Sequence, residues 1–238
     1  MIRRRSSGSS SRRGFTTARA GRTQGHARRS TSGAAALSRS RLYLLLAAAF
    51  AFPEPAFHRR VVDGRFRQEL GEAVRRLPYR LAAGQAQDWR PVRDYEAFLA
   101  EFIRLFQVGL RGHALCSLHS GHYGRDRVRT MEGLFRFYHY FGLNVSPGLM
   151  PDHVTAELEF MHHLTRHQSR SARAAGGADS LVRAQRDFLD QHLIGWWGQA
   201  LDAAAGERPQ RYYRSLMNFV HHFLAAERSY VLSVLRGD

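Results

Sequence analysis

Thirteen histidines and twenty carboxylates are the side chains of this sequence that could move a proton or hold a metal ion. His162, His163 and His167 lie close together, and 163 and 167 are one helical turn apart, a spacing that can present two imidazoles to one zinc ion. The stretch reads His163-Leu164-Thr165-Arg166-His167, so it lacks the glutamate that an H-E-x-x-H helix uses as general base. Adjacent histidines on a helix point in different directions, which separates His162 from His163 and His221 from His222. His113, His119 and His122 could join them only through the fold. Solvated or packing histidines are the better reading, and no metal ligands are assigned. Glu157 and Glu159 are two residues apart, which on a helix is about 200° and not a carboxylate pair. Cys116 has His113 and His119 nearby in sequence, but such closeness is not the geometry of a nucleophile and its base.

Other chemistries are excluded by what is missing. All 36 basic residues are arginine, and the chain has no lysine. A Walker A loop, a protein kinase and a pyridoxal enzyme each need one. One cysteine can neither close an intrachain disulfide nor hold an iron–sulfur cluster with protein thiolates. There is no G-x-S-x-G elbow and no glycine-rich dinucleotide loop. No enzyme chemistry and no cofactor are assigned from these residues, and a metal-dependent hydrolase stays open at this point.

The net charge of +16 is unevenly placed. Residues 1–41 hold eleven arginines and no acid, leaving 25 arginines against 20 acids in the remainder. Residues 1–40 are almost free of large apolar side chains, so they cannot offset their ordering entropy and are expected to form a disordered extension. Three functional readings compete with that one. The segment could be a basic nucleic-acid arm, an organelle transit peptide, or part of an export signal. The last would join the arginine pair in Ser11-Arg12-Arg13-Gly14-Phe15 to the apolar run Leu42 to Phe52. That pair lies too far before the run for one compact signal, and the run continues into Pro53-Glu54-Pro55 without a small-residue cleavage site. No stretch approaches the roughly 18–20 unbroken apolar residues of a membrane span.

The elements that must position these residues are helical. Leu42, Leu45, Leu46 and Ala49 share one face of a helix stopped by Pro53 and Pro55. Phe57, Val61, Phe66, Leu70, Val74 and Leu77 continue the pattern over 56–77, with a break at Gly64. Residues 82–91 read as a loop. Tyr95, Phe98, Leu99, Phe102, Ile103, Leu105 and Phe106 form a broad stripe behind the N-cap candidate Asp94, closed by Gly109 and Gly112. Residues 111–125 have no period and make a long connection, a common place for function. Helical spacing returns over 128–141, from 151, over 181–192 towards Trp196-Trp197, and over 209–235. The segments at 142–148 and 169–178 read as a turn and a flexible stretch. Period-two alternation is absent, and the tryptophan pair reads as core. The fold class expected is all-α, a single bundle of about seven helices over 41–236 without internal repeats.

One block is more specific. Met131-Glu132-Gly133-Leu134-Phe135-Arg136-Phe137-Tyr138-His139-Tyr140-Phe141-Gly142-Leu143 leads to Pro151-Asp152-His153-Val154-Thr155-Ala156-Glu157-Leu158-Glu159-Phe160-Met161. A helix ending in a Phe-Gly-Leu turn, then P-D-H-x-x-x-E-L-E-F-M, resembles the TorD/DmsD/NarJ family of redox-enzyme maturation chaperones, nitrate reductase delta-type subunits included. Within it the chain looks like the chaperones of the type II dimethyl sulfoxide reductase family. Arg41 to Ala47 with Phe52-Pro53 resembles the family's first helix. Phe106-Gln107-Val108-Gly109 and Cys116-Ser117-Leu118-His119 resemble its hinge, although Ser117 and His119 depart from the frequent Cys-Pro-Leu-Tyr. Ala184 to Leu189, His192-Leu193 and Trp196 resemble its seventh segment.

The resemblance implies a cytoplasmic chaperone, not an enzyme and without a cofactor, monomer or homodimer, for the catalytic subunit of a molybdenum bis-guanine-dinucleotide oxidoreductase. It would bind that subunit's twin-arginine leader or amino terminus and hold it for cofactor insertion before export. Binding to nucleic acid and stable membrane insertion are not expected. A leader is apolar in its middle and cationic at one end, so its receptor needs an apolar groove beside acidic or hydrogen-bonding groups. Asp152 and His153 match the family's peptide-binding positions, Asp152 to meet leader arginines and His153 to bond client backbone. Pro151, Leu118, His119, Tyr123 and Glu157 complete the candidate set around the hinge at 113–125. The plainer alternative is that Asp152 caps its helix and His153 packs on the hinge. A basic helical nucleic-acid-binding protein is the alternative function, and a metal-dependent hydrolase the third.

Overall fold

The computed structural model describes residues 2–4, 22–81, 89, 90, 92–107, 114–171 and 177–237. Among them the chain forms ten α-helical segments and one two-stranded β-piece. The expectation of about seven helices fused or passed over the short ones. Helix α1 is Arg22–Phe50, α2 Pro55–Val62, α3 Arg65–Arg75, α4 Tyr95–Phe106, α5 Ser120–Tyr123 and α6 Arg127–Tyr140. Then come α7 Val154–Ser171, α8 Gly177–Phe188, α9 Ile194–Gly206 and α10 Arg211–Arg236. A π-helical turn, Leu189–Leu193, joins α8 to α9 without a loop.

Local chemistry explains many of these boundaries. Asp94 and Asp126 accept the backbone N–H of Ala97 (2.7 Å) and Arg129 (3.0 Å), satisfying first-turn donors of α4 and α6. Gly64 takes a left-handed conformation (φ 79°) between α2 and α3, where a side chain would be strained. Pro55 opens α2, where its missing N–H costs nothing.

Helices α1 and α7 share the most extensive contact in the molecule, and they run antiparallel: Ser40 meets His162 and Ala47 meets Thr155. Leu42, Tyr43, Leu46 and Phe50 of α1 and Val154, Leu158, Met161 and Leu164 of α7 are completely buried, and Tyr43 and Phe50 reach on to Phe223 of α10 and Trp197 of α9. Each fully buried aliphatic or aromatic side chain contributes on the order of 2 kcal/mol. The apolar run at 42–52 is therefore core material. No single described helix is long and apolar enough to cross a membrane. Helix α10 closes the other side on α8 and α9, and Tyr213 stacks on Phe98 of α4 at 5.1 Å.

The first helix begins well before residue 41. The boundary expected at residue 40 falls inside α1, and Arg39 is completely buried; residues 5–21 lie outside the described part. The Arg39 guanidinium gives three hydrogen bonds to Glu227 of α10 (2.8, 3.0 and 2.7 Å), one to Gln185 of α8 (2.7 Å) and one to Gln168 of α7 (3.3 Å). Tyr43 and Tyr79 donate to the same carboxylate, and the Tyr230 ring lies 5.0 Å from the guanidinium. Burial opposes the charge of Arg39, and Glu227 more than restores it.

A second departure is the strand pair. Ile2–Arg4 (β1) lies antiparallel to Leu143–Val145 (β2), Ile2 opposite Val145 and Arg4 opposite Leu143. Three-residue strands are too short to show an alternation in sequence, and the turn expected at 142–148 contains one of them. Of the remaining expectations, Gly109, Gly112, His113, Pro91, residues 82–88 and residues 172–176 lie outside the described residues.

Arg39→Ala would leave Glu227 charged and buried without its partner. A loss of about 3–5 kcal/mol is expected, read as a fall in the urea midpoint at unchanged slope; a loss below about 1 kcal/mol would show the pair to be dispensable.

Candidate functional site

The connection after α4 and the opening of α7 are tied by backbone. Val154 N donates to Leu118 O (2.8 Å), Ser120 N donates to Asp152 O (2.9 Å), and His119 and His153 face each other as an antiparallel bridge. Their rings meet edge to face at 5.0 Å. Two loops more than thirty residues apart in sequence thus form one corner.

Asp152 is the pin of that corner. It is fully buried, and His119 Nδ1 donates to its Oδ1 at 2.9 Å, while Arg127 Nε lies 3.7 Å from Oδ2. Burial disfavours its charge, but His119 and Arg127 outweigh burial and hold the carboxyl below its usual range. Gly121 makes the approach possible, because a Cβ there would lie 2.8 Å from Asp152 Oδ2 and 2.9 Å from Arg127 Cγ.

His153 caps α7: its Nδ1 accepts the backbone N–H of Thr155 at 3.2 Å. Burial first, then His119, lowers its pKa to about 4. The ring is neutral at ordinary pH, and an accepting Nδ1 leaves the proton on Nε2. His153 therefore offers an N–H donor without a charge.

The other candidates divide. Leu118 is buried in the wall of the corner, and Pro151 O accepts from Tyr138 OH at 2.8 Å. Tyr123 turns away, stacking on Trp196 at 5.5 Å and donating to Ser117 O at 3.0 Å. Glu157 is also turned inward and fully buried, its Oε2 accepting from Trp196 Nε1 at 3.2 Å; burial raises its pKa well above the usual carboxyl range. The structure brings Asp152, His153, His119 and Leu118 together and places Tyr123 and Glu157 behind them on Trp196.

A groove of about 790 Å³ opens beside this corner. Phe50, Phe52, Phe102 and Phe106 form one wall, Leu149 and Met150 the other, with Leu118, His119, His153, Thr155 and Glu159 along its length. Sequence reading missed the aromatic wall because these side chains read as core stripe. The signal available was Phe52, apolar but beyond its helix and 52% exposed, with Met150 41% exposed across from it.

His162 and Cys116, first considered for chemistry, are tied up in packing. Among the described residues no three His, Cys, Asp or Glu converge as metal ligands. His162 Nδ1 lies 2.9 Å from both the hydroxyl and the carbonyl oxygen of Ser40, a packing histidine. Cys116 is buried and donates to Ala200 O at 3.1 Å, and burial pushes its thiol up to about 11, far from a thiolate. The site is built to receive and position, with an apolar trough and polar groups fixed at its side.

The match of residues 63–202 to the nitrate reductase delta subunit family covers more than half of the chain, and the chain belongs to that family. It is similar to the perchlorate reductase assembly chaperone protein of Dechloromonas aromatica (strain RCB), 28% identical over 84% of this chain and 93% of the relative. The dimethyl sulfide dehydrogenase assembly chaperone protein of Rhodovulum sulfidophilum is 33% identical over 66% of this chain and 67% of its own length. The selenate reductase assembly chaperone protein of Thauera selenatis is 36% identical over 44% of this chain and 56% of its own length.

Two outcomes follow from the geometry. Gly121→Ala must displace the Asp152 carboxylate or the Arg127 stem, and a loss of about 1–3 kcal/mol in chemical denaturation is expected. His153 and His192 are both lowered to about 4, chiefly by burial. Their folded values lie below the ordinary 6.5, so the stability they confer is full above 6.5 and is lost as pH falls from 6.5 towards 4. His192→Phe should flatten that fall in urea titrations at pH 7, 6 and 5; an unaltered slope would count against it.

Proposed function

We propose that this protein is a system-specific assembly chaperone for a molybdenum-containing oxidoreductase of the type II dimethyl sulfoxide reductase family. It binds the twin-arginine leader or amino terminus of the catalytic subunit in the cytoplasm. It holds that subunit until the molybdenum bis-guanine-dinucleotide cofactor is inserted, before export. The assembly-chaperone names of its relatives and the P-D-H block support the class of client.

One observation carries the reading: the groove is lined by apolar side chains, Phe52, Leu149 and Met150 among them, interleaved with polar ones, and the His119–His153 corner borders it. An extended peptide needs surface for its side chains and partners for its backbone groups. Phe52 and Met150, both exposed, supply the first, and the His153 Nε2–H supplies a donor for a client carbonyl. A neutral donor suits this task, because it binds backbone without repelling the arginines of a leader.

Calorimetry with a synthetic leader peptide, together with client activity in cells lacking and regaining the chaperone, tests the proposal. His153→Ala should weaken binding about tenfold, as the loss of one hydrogen bond would, and Met150→Asp should weaken it further, both with helicity unchanged. Unchanged affinity and full client activity in both variants would overturn the proposal.

A further inference from the structure

Of the three carboxylates near the opening of α7, two are sealed. Asp152 is held by His119, with Arg127 close to its second oxygen, and Glu157 faces Trp196. Glu159 points to the other side of the helix, and it is the only carboxylate among the described residues lining the groove. A cation entering the groove meets Glu159, not Asp152.

The same carboxylate is engaged by the chain's own beginning. Its Oε2 accepts the backbone N–H of Ile2 at 2.7 Å. The Ile2 side chain packs on the core in a neighbouring recess of about 360 Å³, lined by Leu44, Leu143 and His162 as well as Glu159. Arg166 and Arg170 also line that recess, so it suits an apolar side chain better than a cation. Ile2–Arg4 completes the contact by adding to β2, which has no other strand partner among the described residues. An open strand edge accepts any extended backbone, whatever its side chains. The segment that fills it, Ile2–Arg4, is itself an apolar residue followed by two arginines.

We infer that Ile2–Arg4 is an internal occupant of the client's docking place: a leader arginine takes Glu159, its extended part takes the edge of β2, and the chain's own strand leaves as they arrive. The inference deepens the leader-binding reading and rests on it. The amino-terminal segment then acts as a built-in competitor, shielding the edge strand when no client is present.

Full-length protein, Ile2→Asp and Glu159→Gln test this with two readouts. The probes are a synthetic peptide of two adjacent arginines followed by about ten apolar residues, and a control peptide with glutamines for the arginines. Amide hydrogen exchange at 143–145 reports docking of the internal strand without any peptide. Ile2→Asp should speed that exchange and tighten arginine-peptide binding several-fold. Glu159→Gln should weaken the arginine peptide about tenfold and leave the glutamine peptide as in the unaltered protein. Unchanged exchange in Ile2→Asp, or arginine-peptide binding indifferent to both substitutions, overturns the inference while leader binding stands. Failure of the peptide to bind any form, with exchange showing the strand docked, overturns leader binding and the competition together.

Discussion

A single arginine inside the protein sets the arrangement of its helices. Arg39 is sealed from solvent, and most of its five N–H donors must find acceptors or the charge could not be buried. Glu227, Gln185 and Gln168 accept from four of them, on α10, α8 and α7, and Tyr43 and Tyr79 donate to the same Glu227 carboxylate. The planar fork fixes directions as well as distances, which a lysine could not do. Four helices are thereby held in one register. The groove depends on this, because its aromatic wall includes Phe50 at the far end of the same helix that carries Arg39.

At the groove, the acid and the imidazoles divide their labour by burial. Asp152 spends its charge on His119 and Arg127 and so fixes the corner where two distant loops meet. His153, kept neutral by burial, caps α7 through one nitrogen and keeps the other as a donor. Glu159, half-buried on the opposite side of α7 from Glu157, is the carboxylate that borders the groove. The approximate 200° between residues two apart on a helix separates a sealed acid from an accessible one. A motif that reads as one acidic block thus becomes two sites with different environments.

Much of this was legible in the chain, and the reasons are local. The stripes at 42–49, 95–106 and 209–235 fixed helices because a 3.6-residue period has one physical solution in water. Asp94 was legible as a cap because its side chain precedes the stripe it caps. The P-D-H block lies at the corner where the loop at 118–120 meets the opening of α7. The extent of α1 was not legible: the stretch before residue 41 has few apolar residues, and its place in the core rests on Arg39, whose partners lie 129 to 188 positions away. The strand pair was not legible either, since three residues opposite three carry no period.

The sequence by itself determined the helical class, the exclusion of lysine-dependent chemistry and the family resemblance, because composition, spacing and motif are properties of neighbours along the chain. Only the tertiary structure decided which acid is buried and which is reachable, that Arg39 belongs to the core, and that Ile2–Arg4 lies on β2 against Glu159. Those outcomes depend on burial and on pairings between residues more than a hundred positions apart, and desolvation is set by whatever the fold brings around a group, not by its neighbours in sequence.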